Sequence, residues 1–206
     1  MPIDLEAPIA IGPVVARNRV FLAPMSGISD APFRKLAYGH GAGLVVSEMI
    51  ASREFCEAHA ESRKRAARHD GQGPLMLQLA GREARWMGEA ARIAEGEGAD
   101  IIDIGAESTR PYKGAQKVAA ADELTRLKPV LAALVALGVP VSIDSMKAEV
   151  VAFALDQGAV VGLVVLARGA DATPDELVER LRSAIGRAPM AMMSRTMPPT
   201  PVAAPW

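Results

Sequence analysis

The chain has a single cysteine, Cys56, among 206 residues. One thiol cannot build an intrachain disulfide framework, nor the paired thiolates of a zinc site. Such sparing use of cysteine fits a reducing cytoplasm, and a cytoplasmic location is the expectation. Long apolar runs are missing as well. Stretches such as LVVLA fall far short of the roughly 20 residues that span a bilayer. The start, MPIDLEAPIAIG, has no basic region followed by an apolar one and does not read as a secretory signal. Neither sign of charge dominates: 23 Lys and Arg stand against 24 Asp and Glu, for a net charge of -1. No overall basic character advertises nucleic-acid binding, which leaves a local patch as the only route to it.

What is present is an ordinary globular balance, 50% hydrophobic and 23% charged. Short apolar runs alternate with longer helical patterns. Six runs read as strands: VFLAPM, GLVVSEMI, PLMLQLAG, ADIIDIG, VPVSIDS and AVVGLVVLA. APMAMMS, at 188–194, is a candidate seventh. Between them lie helical patterns. DAPFRKLAYGHG opens with Asp30 as N-cap and Pro32 in the first turn. SREFCEAHAESRKRAARH reads as one helix, with Phe55, His59 and Ser62 at helical spacing. REARWMGEAARIAEGEG closes on Gly96 and Gly98. ADELTRLKPVLAALVALG puts Leu124, Leu127, Leu131 and Leu134 on one stripe. TPDELVERLRSAIG carries Thr173, Pro174 and Glu176 as a capping set.

Strands alternating with helices predict an α/β fold with a parallel sheet and crossover helices. A TIM-barrel-like (β/α) repeat of six to seven strands is the expected form. The chain is near the lower limit for a full barrel of ~250 residues. An open flavodoxin-like sheet is the rival. One domain over 1–195, with a proline-rich tail at 196–206 (TMPPTPVAAPW runs from 196), is the expected organisation. An unclosed sheet would favour a homo-oligomer.

Residues 9–104 resemble a tRNA-dihydrouridine synthase. The resemblance rests on APMSGISDAPFR, SEM, QLAG and the ADIIDI strand, in order and at the family's spacing. It implies an FMN site at a barrel mouth, with Pro24, Met25 and Ser26 along the isoalloxazine ring. Gln78, whose strand is expected to end there, would bond the pyrimidine edge. tRNA is the implied partner. Without the resemblance, Met25 reads as core filler and Gln78 as a surface amide. The family pattern then stops. Where the family continues with an Asn and a Gly-Cys-Pro motif, this chain has Gly105, Ala106 and Glu107. The acid that protonates uracil is therefore missing, and no catalytic residue is assigned. Cys56 lies in a predicted helix and reads as a structural thiol. The family's later phosphate-gripping loops have no recognisable counterpart. A basic stretch, Arg53, Arg63, Lys64, Arg65 and Arg68, could meet an RNA backbone. The interleaved Glu54, Glu57 and Glu61 make a solvated helix face the better expectation.

From residue 98 to 159 the chain resembles a dihydropteroate synthase. GADIIDIGAESTRP and VSIDSMKAEV carry the likeness. It implies that Thr109 and Arg110 hold an aminobenzoate or pyrophosphate group, and that Asp144 bonds a pterin ring. Alternatively Asp144 is a helix cap before Lys147, and Arg110 a loop cation. The chain thus divides into a dihydrouridine-synthase-like half (1–104) and a partly dihydropteroate-synthase-like half (105–195). The expected function is that of an FMN-binding, impaired tRNA-dihydrouridine synthase. A pterin-binding protein and an inactive hybrid are the alternatives.

Overall fold

The computed structural model describes residues 4–105 and 118–163. An antiparallel hairpin comes first, β1 (Ile9–Ile11) and β2 (Val14–Ala16), turning at Gly12 with φ +57°. The (β/α) repeat follows: β3 (Phe21–Leu22), α1 (Ala31–Gly39), β4 (Leu44–Val46), β5 (Ile50–Ala51), α2 (Ser52–Cys56) and α3 (Ala60–Ala66). It continues with β6 (Leu75–Ala80), α4 (Ala84–Gly96), β7 (Ile101–Ile104), α5 (Ala120–Val135), β8 (Val141–Asp144), α6 (Ala148–Asp156) and β9 (Val161–Leu163).

All pairings in the main sheet are parallel, in the order β3-β4-β6-β7-β8-β9, with β5 paired to β6. The order advances in one direction. A doubly wound sheet reverses at a switch point, and this one does not. The fold is therefore the TIM-barrel-like wall, and the flavodoxin-like rival is set aside. All six expected strands are found, and the short β5 makes a seventh. The candidate strand at 188–194, the helix opening at Thr173 and the tail lie outside the described residues.

Two corrections concern local structure. GLVVSEMI is not one strand: the chain leaves the ladder after Val46 and rejoins it at Ile50. SREFCEAHAESRKRAARH is not one helix. It breaks where Ala58 takes φ 61°, a left-handed conformation that interrupts the helical path. Phe55 and Ser62 are buried as their spacing suggests, but His59 is exposed. Elsewhere the local chemistry is as expected. Asp30 caps α1 by accepting from the Phe33 N–H at 3.0 Å.

The period of two along each strand divides the core. Outward residues, among them Val45, Leu75, Leu77, Leu79, Ile102, Ile104, Val141 and Ile143, pack under the helices. Leu127, Leu131 and Leu134 of α5 meet them, each worth about 1.5–3 kcal/mol on full burial. Inward residues Leu44, Val46, Met76, Ile101 and Val161 form a second cluster with Ile11 and Ala16 of the hairpin. The hairpin thus covers the inner face at the N-terminal ends of the strands. No sequence signal had suggested it, since each of its strands is three residues long.

Candidate functional site

The inward row changes character from one end of the sheet to the other. Val46 is followed two residues on by Glu48, Met76 by Gln78, and Ile101 by Asp103, while β8 contributes Ser142 and Asp144. The N-terminal end is apolar and covered by the hairpin. The C-terminal end is a polar mouth, where barrel folds place their chemistry.

Gln78 and Asp103 are register partners on β6 and β7, and Gln78 Nε2 donates to Asp103 Oδ2 at 2.9 Å. Asp103 is in turn the register partner of Ser142 on β8. Asp103 Oδ1 and Ser142 Oγ are buried and, among the described residues, have no partner of good geometry, yet the hydroxyl lies near enough to act on the carboxyl. Gln78 is locked on its other side too, because its backbone N–H donates to Ser47 Oγ at 3.0 Å. The strand runs on to Ala80, so Gln78 sits two residues before its end and not at the end as expected.

Asp103 is fully buried. Burial first, and then the nearby Asp144 carboxylate, push its pKa up to about 8, against the opposing pull of the Ser142 hydroxyl and the Gln78 amide. The carboxyl therefore carries a proton at neutral pH. That proton gives the mouth a donor that an ionised pair would lack.

The loop after β3 forms one wall of the mouth. Pro24 and Met25 are half-buried and Ser26 is exposed. The Met25 backbone is already engaged. Its N–H donates to Ser29 Oγ at 2.9 Å, and its carbonyl accepts from Ser29 Oγ and from the Ile28 and Ser29 N–H groups. Glu48, almost buried, accepts from the Gly27 N–H at 2.8 Å and faces Arg65 at 3.4 Å. Apolar side-chain surface, rather than open backbone, is what Met25 offers a ligand.

Of the residues singled out from sequence, Pro24, Met25, Ser26, Gln78 and Asp144 thus share the C-terminal end of the sheet. Thr109 and Arg110 lie outside the described residues. Asp144 is not the N-cap of α6: that position is Lys147, whose N–H donates to Ser145 Oγ at 3.1 Å. Lys147 Nζ instead pairs with the buried Glu123 of α5 at 2.8 Å. Gly105, which stands where the resembling family has Asn, is tight: a Cβ there would lie 2.8 Å from the Asp144 carbonyl oxygen. Cys56 is on α2, on the outer side of the sheet. Its thiol contacts the Trp86 carbonyl at 3.6 Å, and burial raises its pKa.

The basic stretch is a solvated face whose arginines are paired. Arg53 pairs with Glu57 at 2.9 Å, and Arg63 pairs with Glu97 on the turn after α4. Arg68 bonds Asp100 at 3.0 Å and the carbonyls of Gln72 and Gly73. Three of these arginines, Arg63, Arg65 and Arg68, tie α3 and its exit to neighbouring elements. A pocket of about 680 Å³, lined by Leu5, Arg17, Phe21 and His40 among others, lies beside β3 and the C-terminal end of α1. It contains none of the candidate residues.

Sequence reasoning missed Asp103, Glu48, Ser29 and Arg34. The first two had a usable signal, since each continues the inward parity of an apolar strand. No helix of the described residues is long and apolar enough to cross a membrane, and none of their acidic, His and Cys groups gathers as a metal cluster.

A probable tRNA-dihydrouridine synthase of Rhizobium leguminosarum bv. phaseoli is 64% identical over 90 residues, 43% of this chain and 27% of that protein. The match therefore spans about a quarter of that relative's length. Among solved structures, a variant of NCR from Zymomonas mobilis shares the fold with a TM-score of 0.64 at 19% identity, over 93% of this chain and 79% of that one. Dihydropteroate synthase from Thermus thermophilus, in complex with 4-aminobenzoate, is 39% identical over 57% of this chain and 39% of that one, with a TM-score of 0.41. The model of the family described as dihydrouridine synthase (Dus) matches residues 21–145, more than half of the chain, and the chain belongs to that family.

Proposed function

We propose that the chain is a flavin-binding member of the dihydrouridine synthase family that holds the FMN ring at its polar mouth and is impaired in reducing tRNA. The observation that carries this reading is the placement of the 24–29 loop and Gln78 at one end of one sheet. Pro24 and Met25 supply an apolar wall for a planar ring. Gln78 spends Nε2 on Asp103, which leaves Oε1 to accept from the N3–H of the ring's pyrimidine edge. The ring and the residues thus fit. Bound FMN would supply two-electron redox chemistry. The protein's part is to orient the ring and exclude water from one face. The family motif's cysteine, the implied acid for the uracil ring, has no counterpart: Gly105, Ala106 and Glu107 follow β7 instead, and the sole thiol, Cys56, is on the far side of the sheet. The substrate class, tRNA, and a cytoplasmic setting are part of this reading.

Among the described residues the contacts proposed are all to the ring. FMN and riboflavin should bind within about threefold of each other, less than 1 kcal/mol apart. Fluorescence titration with both, alongside thermal unfolding, tests this. An upward shift of a cooperative transition by either flavin supports the reading. A transition that ignores both at saturating concentration sinks it. Formation of dihydrouridine in tRNA by the purified protein would overturn the impairment alone.

A second reading, a dihydropteroate-synthase-like site for a pterin or aminobenzoate, is supported by the acceptor-rich mouth. Asp103, Ser142 and Asp144 present oxygens that suit the N–H donors of an aminopyrimidinone edge. Asp144→Asn should then weaken saturable pterin binding, and an unchanged affinity counts against it. A folded chain that ignores both flavin and pterin would leave the inactive hybrid.

A further inference from the structure

The loop that walls the mouth is held from beneath by a buried cation. Arg34, on α1, is fully buried. Its Nη1 donates to the Ser29 carbonyl at 2.8 Å and its Nη2 to the Ala67 carbonyl at 2.6 Å. The guanidinium therefore bridges the loop after β3 and the exit of α3. Ser29 passes the constraint on, because its hydroxyl both accepts from and donates to the Met25 backbone. A second anchor reaches the same loop at its tip, where Glu48 accepts from Gly27 and meets Arg65 of α3.

Such a group is costly to keep. Burial lowers the Arg34 pKa to about 10, opposed by Asp30 and Glu48, so it remains charged at neutral pH. An apolar side chain would fill the space more cheaply. What only arginine supplies is a rigid fork that reaches two carbonyls at once. An ammonium is a single point and cannot span both.

We propose that Arg34 is a positioning residue: its fork, bonded to the Ser29 and Ala67 carbonyls, sets the shape of loop 25–29 and so aligns the Pro24–Met25 wall with Gln78 for a planar ligand. The ligand half of this statement rests on the flavin reading above, and the loop half does not.

The test pairs amide hydrogen exchange with flavin titration on the full chain, for the native protein, Arg34→Lys and Ser29→Ala. In Arg34→Lys the Gly27, Ile28 and Ser29 amides should exchange on the order of tenfold faster, with β6 and β7 amides unchanged. FMN affinity should fall about tenfold, and the visible band of the bound flavin should move toward that of free flavin even at saturation. Loop amides protected as in the native protein would overturn the proposal. So would faster exchange spread evenly over β6 and β7, since that marks general destabilisation. If Arg34→Lys fails to fold cooperatively, Ser29→Ala decides: it keeps Arg34 and its carbonyl partner and removes only the hydroxyl relay to Met25. Faster exchange at Gly27 and Ile28 in that variant supports the relay, and unchanged exchange overturns it. A native chain that binds no FMN would refute the flavin reading while the exchange data still judge the loop.

Discussion

Asp103→Asn should stabilise the protein, and increasingly so as pH rises. The side chain is fully buried, and its pKa of about 8 stands well above the ordinary carboxylate value of 3.8. Between those two values the folded state holds a proton that the unfolded state has lost. Stability then falls as pH rises, by at most about 1.4 kcal/mol per pH unit for one group. This contribution is complete below the unfolded value and has gone once pH passes the folded one. Asparagine removes the titration while keeping the geometry. Its oxygen can still accept from Gln78, and its amide can donate toward Ser142 Oγ, which has no partner of good geometry among the described residues. The full linkage from pH 3.8 to 8 would be about 5–6 kcal/mol, about four units at that slope. Relaxation of the site around the charge reduces this, so the expected gain at pH 8 is about 1–3 kcal/mol. Urea unfolding of both proteins from pH 5 to pH 9 gives the difference directly, and other titrating groups cancel between them. The difference should grow up to about pH 8 and then level off. A variant less stable than the native chain at pH 8, or a difference that ignores pH, would refute the account of a protonated Asp103.

Three further outcomes follow from particular contacts. Restoring the family's residue with Gly105→Asn should cost about 1–3 kcal/mol, because its Cβ would press on the Asp144 carbonyl; a urea midpoint at the native value would contradict this. Ala58→Gly should raise stability by about 0.5–1 kcal/mol, as relief of the left-handed backbone at the α2–α3 break outweighs the added chain entropy; thermal unfolding reads the sign. Lys147→Met should lose about 3 kcal/mol at pH 7, since it strands the buried Glu123 carboxylate, and Glu123→Gln in the same background should recover part of it; absence of that recovery would remove the ion pair as the cause.

The wall of the barrel was legible because each strand carries its own message. Leu75, Leu77 and Leu79 face one way and Met76 and Gln78 the other, and the same alternation recurs on β7 and β8. What escaped was structure without a period. The hairpin strands are too short to show one, and the helix break at Ala58 depends on a backbone angle that alanine does not announce. Arg34 escaped for a different reason. An arginine in a helix reads as solvent-facing, and only the fold shows that two carbonyls from distant loops converge on it. The mouth residues were found through resemblance, whereas the hydrogen bonds that orient them, Gln78 to Asp103 and Ser29 to Met25, cross 25 residues in one case and turn back within a loop in the other.

β7 shows why the packing of the fold asks less of the sequence than the site does. Its outward Ile102 and Ile104 need only apolar neighbours, which the helices on either side supply. Its inward Ile101 joins the cluster under the hairpin, again a demand of volume and not of identity. Parity and hydrophobicity suffice for packing. Chemistry at the mouth demands more. Asp103 needs Gln78 on one side and Ser142 on the other, and the next position but one must be glycine because β8 comes close. That glycine is where the dihydrouridine synthase motif would begin. The close approach of β8 to β7 therefore leaves an Asn side chain no room at 105 unless the Asp144 carbonyl shifts.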